Sequence, residues 1–396
     1  MPGTAALGNE RLIVNCLHIR YNSSMHSRQR FSRVLLIFLC VLCLSDCGKK
    51  SAVDAGSQVV TGARNGTQNP GNEKPLTIGF SIATATFIIE RWNKDLKVFT
   101  GAAKELGADV IVQLSAGGVK EQISQINYMI NQNIDILVVI AHDTELIAGA
   151  IRQIKEAGIP VIAYDRLIQG VPLDAYISFD SREVGRQFGM ALLNEVPRGN
   201  YLIVNGSVHD VNSFDISAGL HEIIDPSVQA GNIKMIREIW LEEWSSDEAL
   251  EKIDAVFEET TDFDAIACAN DAIAGAAIQL LSERRMAGKI AVVGQDADLS
   301  ACQRIVEGTQ LMTVYKPIGR IGVKAAELAV ALGRKARGDV NAEIPPPDKI
   351  LDNHSSAMIP AYLEKITTLF RYNIDEVIRD GFHSRDDVFR NVALIP

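Results

Sequence analysis

From residue 75 onward, short apolar runs alternate with longer segments whose apolar residues recur at helical spacing. The runs 76–81, 109–114 and 134–140 have the composition of buried strands, and an amphipathic stretch follows each of them. Strands that alternate with helices form a parallel sheet. The same pattern restarts near residue 182. The sequence therefore predicts an α/β fold of two similar lobes, each a parallel sheet flanked by helices.

The length, charge and cysteine content of the chain limit its possible domain organisation and binding partners. At 396 residues, the chain is long enough for two domains with cores of their own. Its formal net charge is −10, although the first 47 residues hold five Arg and only two acidic residues. An acidic body excludes nucleic acid as the main partner, because phosphate binding needs a basic face. Of the six cysteines, only Cys268 and Cys302 lie beyond residue 47, and we interpret them as buried apolar residues, with a disulfide as the alternative.

The amino-terminal residues 1–47 have the pattern of a leader. A basic stretch that begins at Met25 precedes an apolar run of about ten residues, which indicates a signal peptide and is too short for a membrane span. We expect translation to start at Met25, with a genuine leader of unknown role in residues 1–24 as the alternative. The run ends near Cys47, which resembles the lipidated cysteine of bacterial lipoproteins, although Asp46 departs from that pattern, and ordinary secretion is the alternative. Residues 48–74 are rich in small polar residues and predict a flexible tether.

Polar side chains follow several of the predicted strands. Asp165 and Arg166 follow one strand, Asn270 and Asp271 follow another, and Asp296 follows a third. Ligands of α/β proteins bind at the carboxyl ends of parallel strands, so these groups are expected to converge on one crevice. They include planar hydrogen-bonding groups and no nucleophile–base pair, which favours holding a polyhydroxylated ligand over cleaving one. A surface ion pair and helix caps are the alternatives.

At these positions the chain resembles the periplasmic sugar-binding proteins of ABC importers, in the ribose-type group. The resemblance covers about residues 74–383. It implies a periplasmic binding protein type I fold with a three-segment hinge, a first lobe of 75–180 plus 316–345, and a second lobe of 181–315 plus 346–396. The motifs that carry it are Glu90-Arg91-Trp92-Asn93-Lys94-Asp95, Ala163-Tyr164-Asp165-Arg166, Tyr176-Ile177-Ser178-Phe179-Asp180, Asn270-Asp271-Ala272, Gly294-Gln295-Asp296-Ala297-Asp298-Leu299, Thr313-Val314-Tyr315-Lys316-Pro317 and Asp380-Gly381-Phe382-His383.

The resemblance also assigns roles to single residues. It implies a hydroxyl contact from Arg91 and stacking by Trp92, for which a surface arginine and a core tryptophan are the alternatives. Trp244 is the second candidate for stacking, and we interpret Trp240 as a packing residue. The resemblance implies polar contacts from Asn212, for which a helix cap is the alternative, and from Lys316, for which a solvated surface lysine is the alternative. The implied sugar-binding residues are Arg91, Trp92, Asp165, Arg166, Asn212, Trp244, Asn270, Asp271, Asp296 and Lys316.

The function that the resemblance implies is capture of a monosaccharide, D-xylose before other sugars, and its delivery to an ABC permease. The protein would be exported to the periplasm or cell surface, anchored by lipid, and monomeric. Two other classes stay open: a sensor subunit for a histidine kinase or chemoreceptor, and a sugar-cleaving enzyme with paired carboxylates. We expect no catalytic residue, cofactor or metal, because the sequence has no phosphate-binding G-x-x-x-x-G-K-[ST] loop, no G-x-S-x-G motif and no calcium loop.

Overall fold

The computed structural model of the protein describes residues 74–83 and 90–392, with the backbone alone at Glu90 and Arg91. The predicted leader, lipidation site and most of the tether lie outside these residues. The elements in chain order are β1 (Leu76–Ala83), α1 (Glu90–Glu105), β2 (Ala108–Ser115), α2 (Val119–Asn131), β3 (Ile136–Ile140), α3 (Ala148–Glu156), β4 (Val161–Tyr164), β5 (Ala175–Phe179), α4 (Ser181–Glu195), β6 (Gly199–Ser207), α5 (Val211–Gln229), β7 (Ile233–Leu241), α6 (Ser246–Glu259), β8 (Ala265–Cys268), α7 (Asp271–Glu283), β9 (Ala291–Gln295), α8 (Leu299–Glu307), β10 (Met312–Tyr315), α9 (Ile318–Ala336), β11 (Lys349–Asp352), β12 (Met358–Glu364), β13 (Thr367–Leu369), α10 (Asp375–Arg379) and α11 (Arg385–Val388).

Two sheets form the centres of two lobes. The first has seven strands in the order β11-β12-β5-β4-β3-β1-β2, and the second has six in the order β13-β10-β9-β8-β6-β7. All pairings in both sheets are parallel except β11 with β12 and β10 with β13. Strands such as β3 and β8 are buried along their whole length, as expected for parallel strands covered by helices on both faces. The predicted fold class is confirmed.

One predicted lobe boundary is wrong. We expected all of residues 346–396 to belong to the second lobe, but β12 pairs with β5 and extends the first sheet. Ile359 and Ala361 of β12 are fully buried in the core of the first lobe. Without β12, the edge of β5 would expose its unpaired backbone groups. The second lobe resumes only at β13, which pairs with β10.

The chain therefore passes between the two lobes three times. The first passage lies between β5 and α4, the second between β10 and α9, and the third between β12 and β13. Lys316 and Pro317 lie on the second passage. This arrangement gives both lobes a share in the site that lies between them.

Glycines bring two helices of the second lobe close together. A Cβ atom at Gly185 of α4 would lie 1.9 Å from the backbone oxygen of Ile216, and one at Gly219 of α5 would lie 1.9 Å from that of Arg182. No side chain larger than hydrogen is compatible with such a crossing. The close approach holds the amino-terminal ends of α4 and α5 next to each other, where Ser181 and Asn212 lie.

Other predictions from the sequence concern cysteines and membrane segments. Cys268 and Cys302 are both buried and unpaired, as the buried-residue interpretation predicted. Desolvation raises the pKa of both thiols, so they are protonated near neutral pH. Within residues 74–83 and 90–392, every helix is too short or too polar to cross a lipid bilayer.

Candidate functional site

A cleft of about 1150 Å³ lies between the two lobes. The first lobe contributes residues from α1 and from the loop after β4, and the second lobe contributes residues that follow β7, β8 and β9. Eight of the ten predicted sugar-binding residues line it. They are Trp92, Asp165, Arg166, Asn212, Trp244, Asn270, Asp296 and Lys316. The side chain of Arg91 lies outside the part of the chain that the structure describes.

Two acidic residues occupy equivalent places in the two lobes. Asp165 follows β4 with φ 64°, and Asp296 follows β9 with φ 97°. The amide of Asp165 donates a hydrogen bond to Ile177 O at 2.8 Å, and the amide of Asp296 donates to Val314 O at 2.8 Å. A positive φ costs a non-glycine residue free energy, and such residues concentrate at functional sites. The turn at each strand end thus directs a carboxylate toward the cleft.

Arg166 and Asp210 form an ion pair between the lobes. Arg166 Nε lies 2.9 Å from Asp210 Oδ2, and Arg166 Nη1 donates to Ala141 O at 2.7 Å. Both side chains are at least 90% buried. Asp210 also accepts hydrogen bonds from the Asn212 amide at 3.0 Å and from Trp244 Nε1 at 3.0 Å. Sequence reasoning missed Asp210, because it precedes a helix and has the pattern of an ordinary cap.

Asn212 joins the first passage between the lobes to the loop after β4. Its Nδ2 donates to Asp165 O at 3.0 Å, and its Oδ1 accepts from Ser181 Oγ at 3.1 Å. Asp165 belongs to the first lobe and Ser181 begins the second, so one carboxamide contacts both. The cap alternative does not describe this side chain, since the cap of α5 is Asp210.

Trp244 lies in the cleft, and Trp240 does not. The Trp244 ring packs over Gly206 so closely that a Cβ there would lie 2.3 Å from its Cη2 atom. Trp240 stacks instead on Phe214, with ring centroids 4.8 Å apart. Trp92 of the first lobe also lines the cleft, but it is only 5% exposed and packs in the hydrophobic core of that lobe, where the core-residue alternative places it. Each lobe therefore places one indole ring at the cleft, and aromatic rings suit contact with the C–H face of a sugar.

The prediction that Asp271 lines the cleft is wrong. Its carboxylate lies inside the second lobe and accepts hydrogen bonds from Thr313 Oγ1 at 2.8 Å, Gln310 Nε2 at 2.8 Å and the Asp298 amide at 3.1 Å. Burial raises the pKa of Asp271 well above its usual range. Gly294 is required beside it, since a Cβ there would lie 2.4 Å from Asp271 Oδ1.

Asn270 is a helix cap that also lines the cleft. Its Oδ1 caps α7 by accepting a hydrogen bond from the Ile273 amide at 2.9 Å, and the residue also lines the cleft. Because the cap fixes the carbonyl end of the carboxamide, the Nδ2 end is directed away from the helix. An amide nitrogen held in this way suits donation to a hydroxyl oxygen.

Lys316 is a buried cation on the passage between β10 and α9. It is 5% exposed, and its Nζ lies 3.3 Å from Asp296 Oδ1 and 6.0 Å from the centroid of the Phe179 ring. A surface lysine is therefore the wrong interpretation. The Lys316 ammonium group lies beside the strained turn at Asp296. The ammonium donor and the Asp296 carboxylate acceptor therefore both lie at the cleft.

Comparison with known proteins identifies the family. The family model described as "Periplasmic binding protein domain" matches residues 79–336. The D-xylose-binding periplasmic protein of Haemophilus influenzae is 40% identical over 332 residues, which are 83% of this chain and 97% of the relative. The chain belongs to the periplasmic binding proteins.

Two further comparisons agree with this assignment. The D-xylose-binding periplasmic protein of Escherichia coli is 39% identical over 80% of this chain and 93% of its own length. A carbohydrate transporter solute binding protein from Chloroflexus aurantiacus, solved in complex with D-glucose, is 25% identical. It superposes with a TM-score of 0.72 over 80% of this chain and 98% of its own.

The cleft of this periplasmic binding protein contains further polar residues that sequence reasoning did not select. His142 lines the cleft, and its Nε2 lies 2.6 Å from Ser115 O. Burial lowers the pKa of His142 below its usual value, so the ring is neutral at pH 7. Gln295, the last residue of β9, also lines the cleft. In residues 74–83 and 90–392, no three His, Cys, Asp or Glu side chains are grouped to hold a metal.

Proposed function

We propose that the protein captures one monosaccharide, D-xylose before other sugars, in the cleft between its lobes. The observation that carries this proposal is the pair of indole rings, Trp92 and Trp244, which line the cleft from opposite lobes together with planar polar groups. A pyranose presents apolar C–H faces, which aromatic rings cover, and hydroxyls, which carboxylates and carboxamides bind. Two relatives about 40% identical are named for D-xylose, and they support this choice of sugar.

The side chains of the cleft are suited to binding and not to cleavage. Glycosidic cleavage needs two carboxyl groups on either side of the scissile bond. Asp271, one of the three candidate carboxylates, lies inside the second lobe, and Asp296 is paired with Lys316. Membership of the family agrees with this reading, and the protein is not an enzyme.

Closure of the lobes is the second part of the proposal. The Arg166–Asp210 pair and the contacts of Asn212 join the lobes through residues that line the cleft. A ligand shifts an opening equilibrium only through its differential affinity for the two states. Residues of both lobes contact the ligand at once only when the lobes are closed, so sugar binding favours the closed form.

We further propose that the closed form is delivered to an ABC permease, as the family resemblance implies. The protein is exported to the periplasm, and its relatives are named as periplasmic proteins. A lipid on Cys47 anchors it to the membrane. Mass spectrometry of the exported protein tests the anchor. A diacylglyceryl adduct on Cys47 is expected, and an unmodified chain cleaved elsewhere contradicts it.

Calorimetric titration of the exported protein with D-xylose, D-ribose, L-arabinose and D-glucose tests the proposed ligand. We expect one-to-one binding that is tightest for D-xylose. Stronger binding of another sugar would refute the choice of D-xylose, but the proposal that the protein binds a monosaccharide would stand. Absence of heat and of thermal stabilisation with all four sugars would refute the proposal as a whole.

A further inference from the structure

One residue that lines the cleft has a buried carboxamide oxygen without a hydrogen-bond partner among the described residues. Gln295 is the last residue of β9 and is 2% exposed, and it lines the cleft next to Asp296. Among the residues that the structure describes, no donor lies within hydrogen-bonding distance of its Oε1. Buried polar groups in folded proteins are nearly always hydrogen-bonded, so each exception calls for an explanation.

The position of Gln295 in the sheet explains which way it faces. Side chains alternate along a strand, so Gln295 lies on the same face of β9 as Val293. Val293 is fully buried in the core between the sheet and α4. Gln295 lies one layer farther along, at the carboxyl edge of the sheet, where the core ends and the cleft begins. An apolar side chain would satisfy the packing at this place without leaving an oxygen unpaired.

The neighbouring buried amides differ from Gln295 in this respect. Asn205 Nδ2 donates to Glu238 Oε1 at 2.6 Å, and both ends of the Asn212 carboxamide are bonded to protein atoms. Asn205 thus supports the second lobe through Glu238, and Asn212 joins that lobe to the first through Asp165 O.

Gln125 Oε1 and Asn353 Oδ1 are also buried and lack a partner among the described residues, but neither residue lines the cleft. The unpaired oxygen of Gln295 differs from them because it belongs to a residue that lines the cleft.

We propose that Gln295 is a specificity-determining residue whose Oε1 accepts a hydrogen bond from one hydroxyl of the bound sugar. This inference rests on the proposed function and extends it to a residue outside the ten predicted ones. A site built to bond a hydroxyl rejects the analogue that lacks it, because a buried group then stays unpaired. Gln295 therefore selects for the presence of one hydroxyl at one ring position.

The experiment combines one variant with altered ligands. Gln295→Met keeps the length of the side chain and removes its acceptor, and Gln279→Met makes the same change on the exposed face of α7 as the control. Calorimetry measures both variants and the wild type with D-xylose and with the four analogues that each lack one hydroxyl, at C1, C2, C3 or C4. We expect Gln295→Met to weaken D-xylose binding about tenfold and Gln279→Met to leave it unchanged.

The deoxy analogues separate direct contact from a structural role. One analogue is expected to bind equally to the wild type and to Gln295→Met, because it lacks the hydroxyl that Gln295 bonds. Unliganded Gln295→Met is expected to unfold at or above the temperature of the wild type. Unchanged affinity for D-xylose, or equal weakening of every analogue, would overturn the inference.

The two proposals fail in different ways. If the wild type binds D-xylose and the variant binds it equally well, the role of Gln295 is refuted and the proposed function stands. If the wild type prefers another sugar, the same comparison is made with that sugar and its deoxy analogues. If no sugar binds the wild type, both proposals are refuted.

Discussion

Gly206→Ala is expected to displace an aromatic ring of the cleft without touching the ligand. The new Cβ would lie 2.3 Å from Trp244 Cη2, 2.4 Å from Cζ3 and 2.6 Å from Ser213 Oγ. A carbon–carbon contact is comfortable at about 3.5 Å or more, so the ring must move by roughly 1 Å. That shift strains the bond of 3.0 Å from Trp244 Nε1 to Asp210 Oδ2, which also holds Arg166.

The magnitude follows from the cost of overpacking. Inserting one methyl group into a well-packed site costs about 1–3 kcal/mol, which corresponds to roughly a five- to 150-fold rise in Kd if the sugar needs the original ring position. Calorimetry measures Kd, and thermal unfolding reports the folded fraction. The matched control is Gly101→Ala on α1, where a Cβ would have no neighbour within 4 Å. We expect the control to bind like the wild type.

A double variant tests whether the methyl group acts through the ring. Trp244→Leu removes the ring that Gly206→Ala displaces, so the two changes are expected to be non-additive. The double variant should bind no more weakly than Trp244→Leu alone. Wild-type affinity in Gly206→Ala, or full additivity in the double variant, would refute the reasoning.

Three further perturbations follow from the structure. Asp296→Ala should weaken sugar binding by about 1–3 kcal/mol in calorimetry, because a buried hydroxyl loses its acceptor, while Asp254→Ala on α6 should have no effect. Lys94→Met should weaken binding about two- to fivefold, since Lys94 Nζ of the first lobe lies 3.9 Å from the Phe382 ring, which packs on the second lobe. His221→Gln should alter the pH dependence of unfolding. Hydrogen bonding to a carboxylate raises the pKa of His221 from 6.5 to about 9, so its stabilisation is complete below pH 6.5 and is lost as the pH rises through 9.

Each of these has a result that contradicts it. Unchanged Kd in Asp296→Ala would remove that carboxylate from the site. Equal affinity in Lys94→Met would show that its contact with Phe382 does not favour closure. For His221→Gln, stability is measured by chemical denaturation between pH 6 and pH 10. The difference from the wild type should shrink across this interval, and a constant difference would show that the charge of the imidazole is not involved.

The fold was predictable because its strands are short apolar runs and its helices are amphipathic. The edge strands were harder to predict. β11 and β12 include exposed and half-buried positions, and β11 has only the residues Lys-Ile-Leu-Asp. The sequence of such a short strand does not indicate which sheet the strand joins. The answer depends on the exposed edge of β5, which exists only once the first lobe has folded.

The site was predictable in outline because residues at strand ends must converge. The failure at Asp271 shows the limit of that argument. Asn270 and Asp271 are adjacent, yet the start of a helix turns one side chain toward the cleft and the next into the lobe. Asp210 and Gly206 were missed for a related reason, since their roles come from contacts with Arg166 and Trp244 that no sequence spacing encodes.

A crystal structure of the exported protein grown with D-xylose tests the central claim most directly. We expect one pentose between the Trp92 and Trp244 rings, with hydroxyls within about 3 Å of Asp296 and Lys316. The lobes should keep the Arg166–Asp210 pair. A sugar bound outside the cleft, or a closed cleft that holds no sugar at saturating D-xylose, would contradict the proposal that the cleft binds D-xylose.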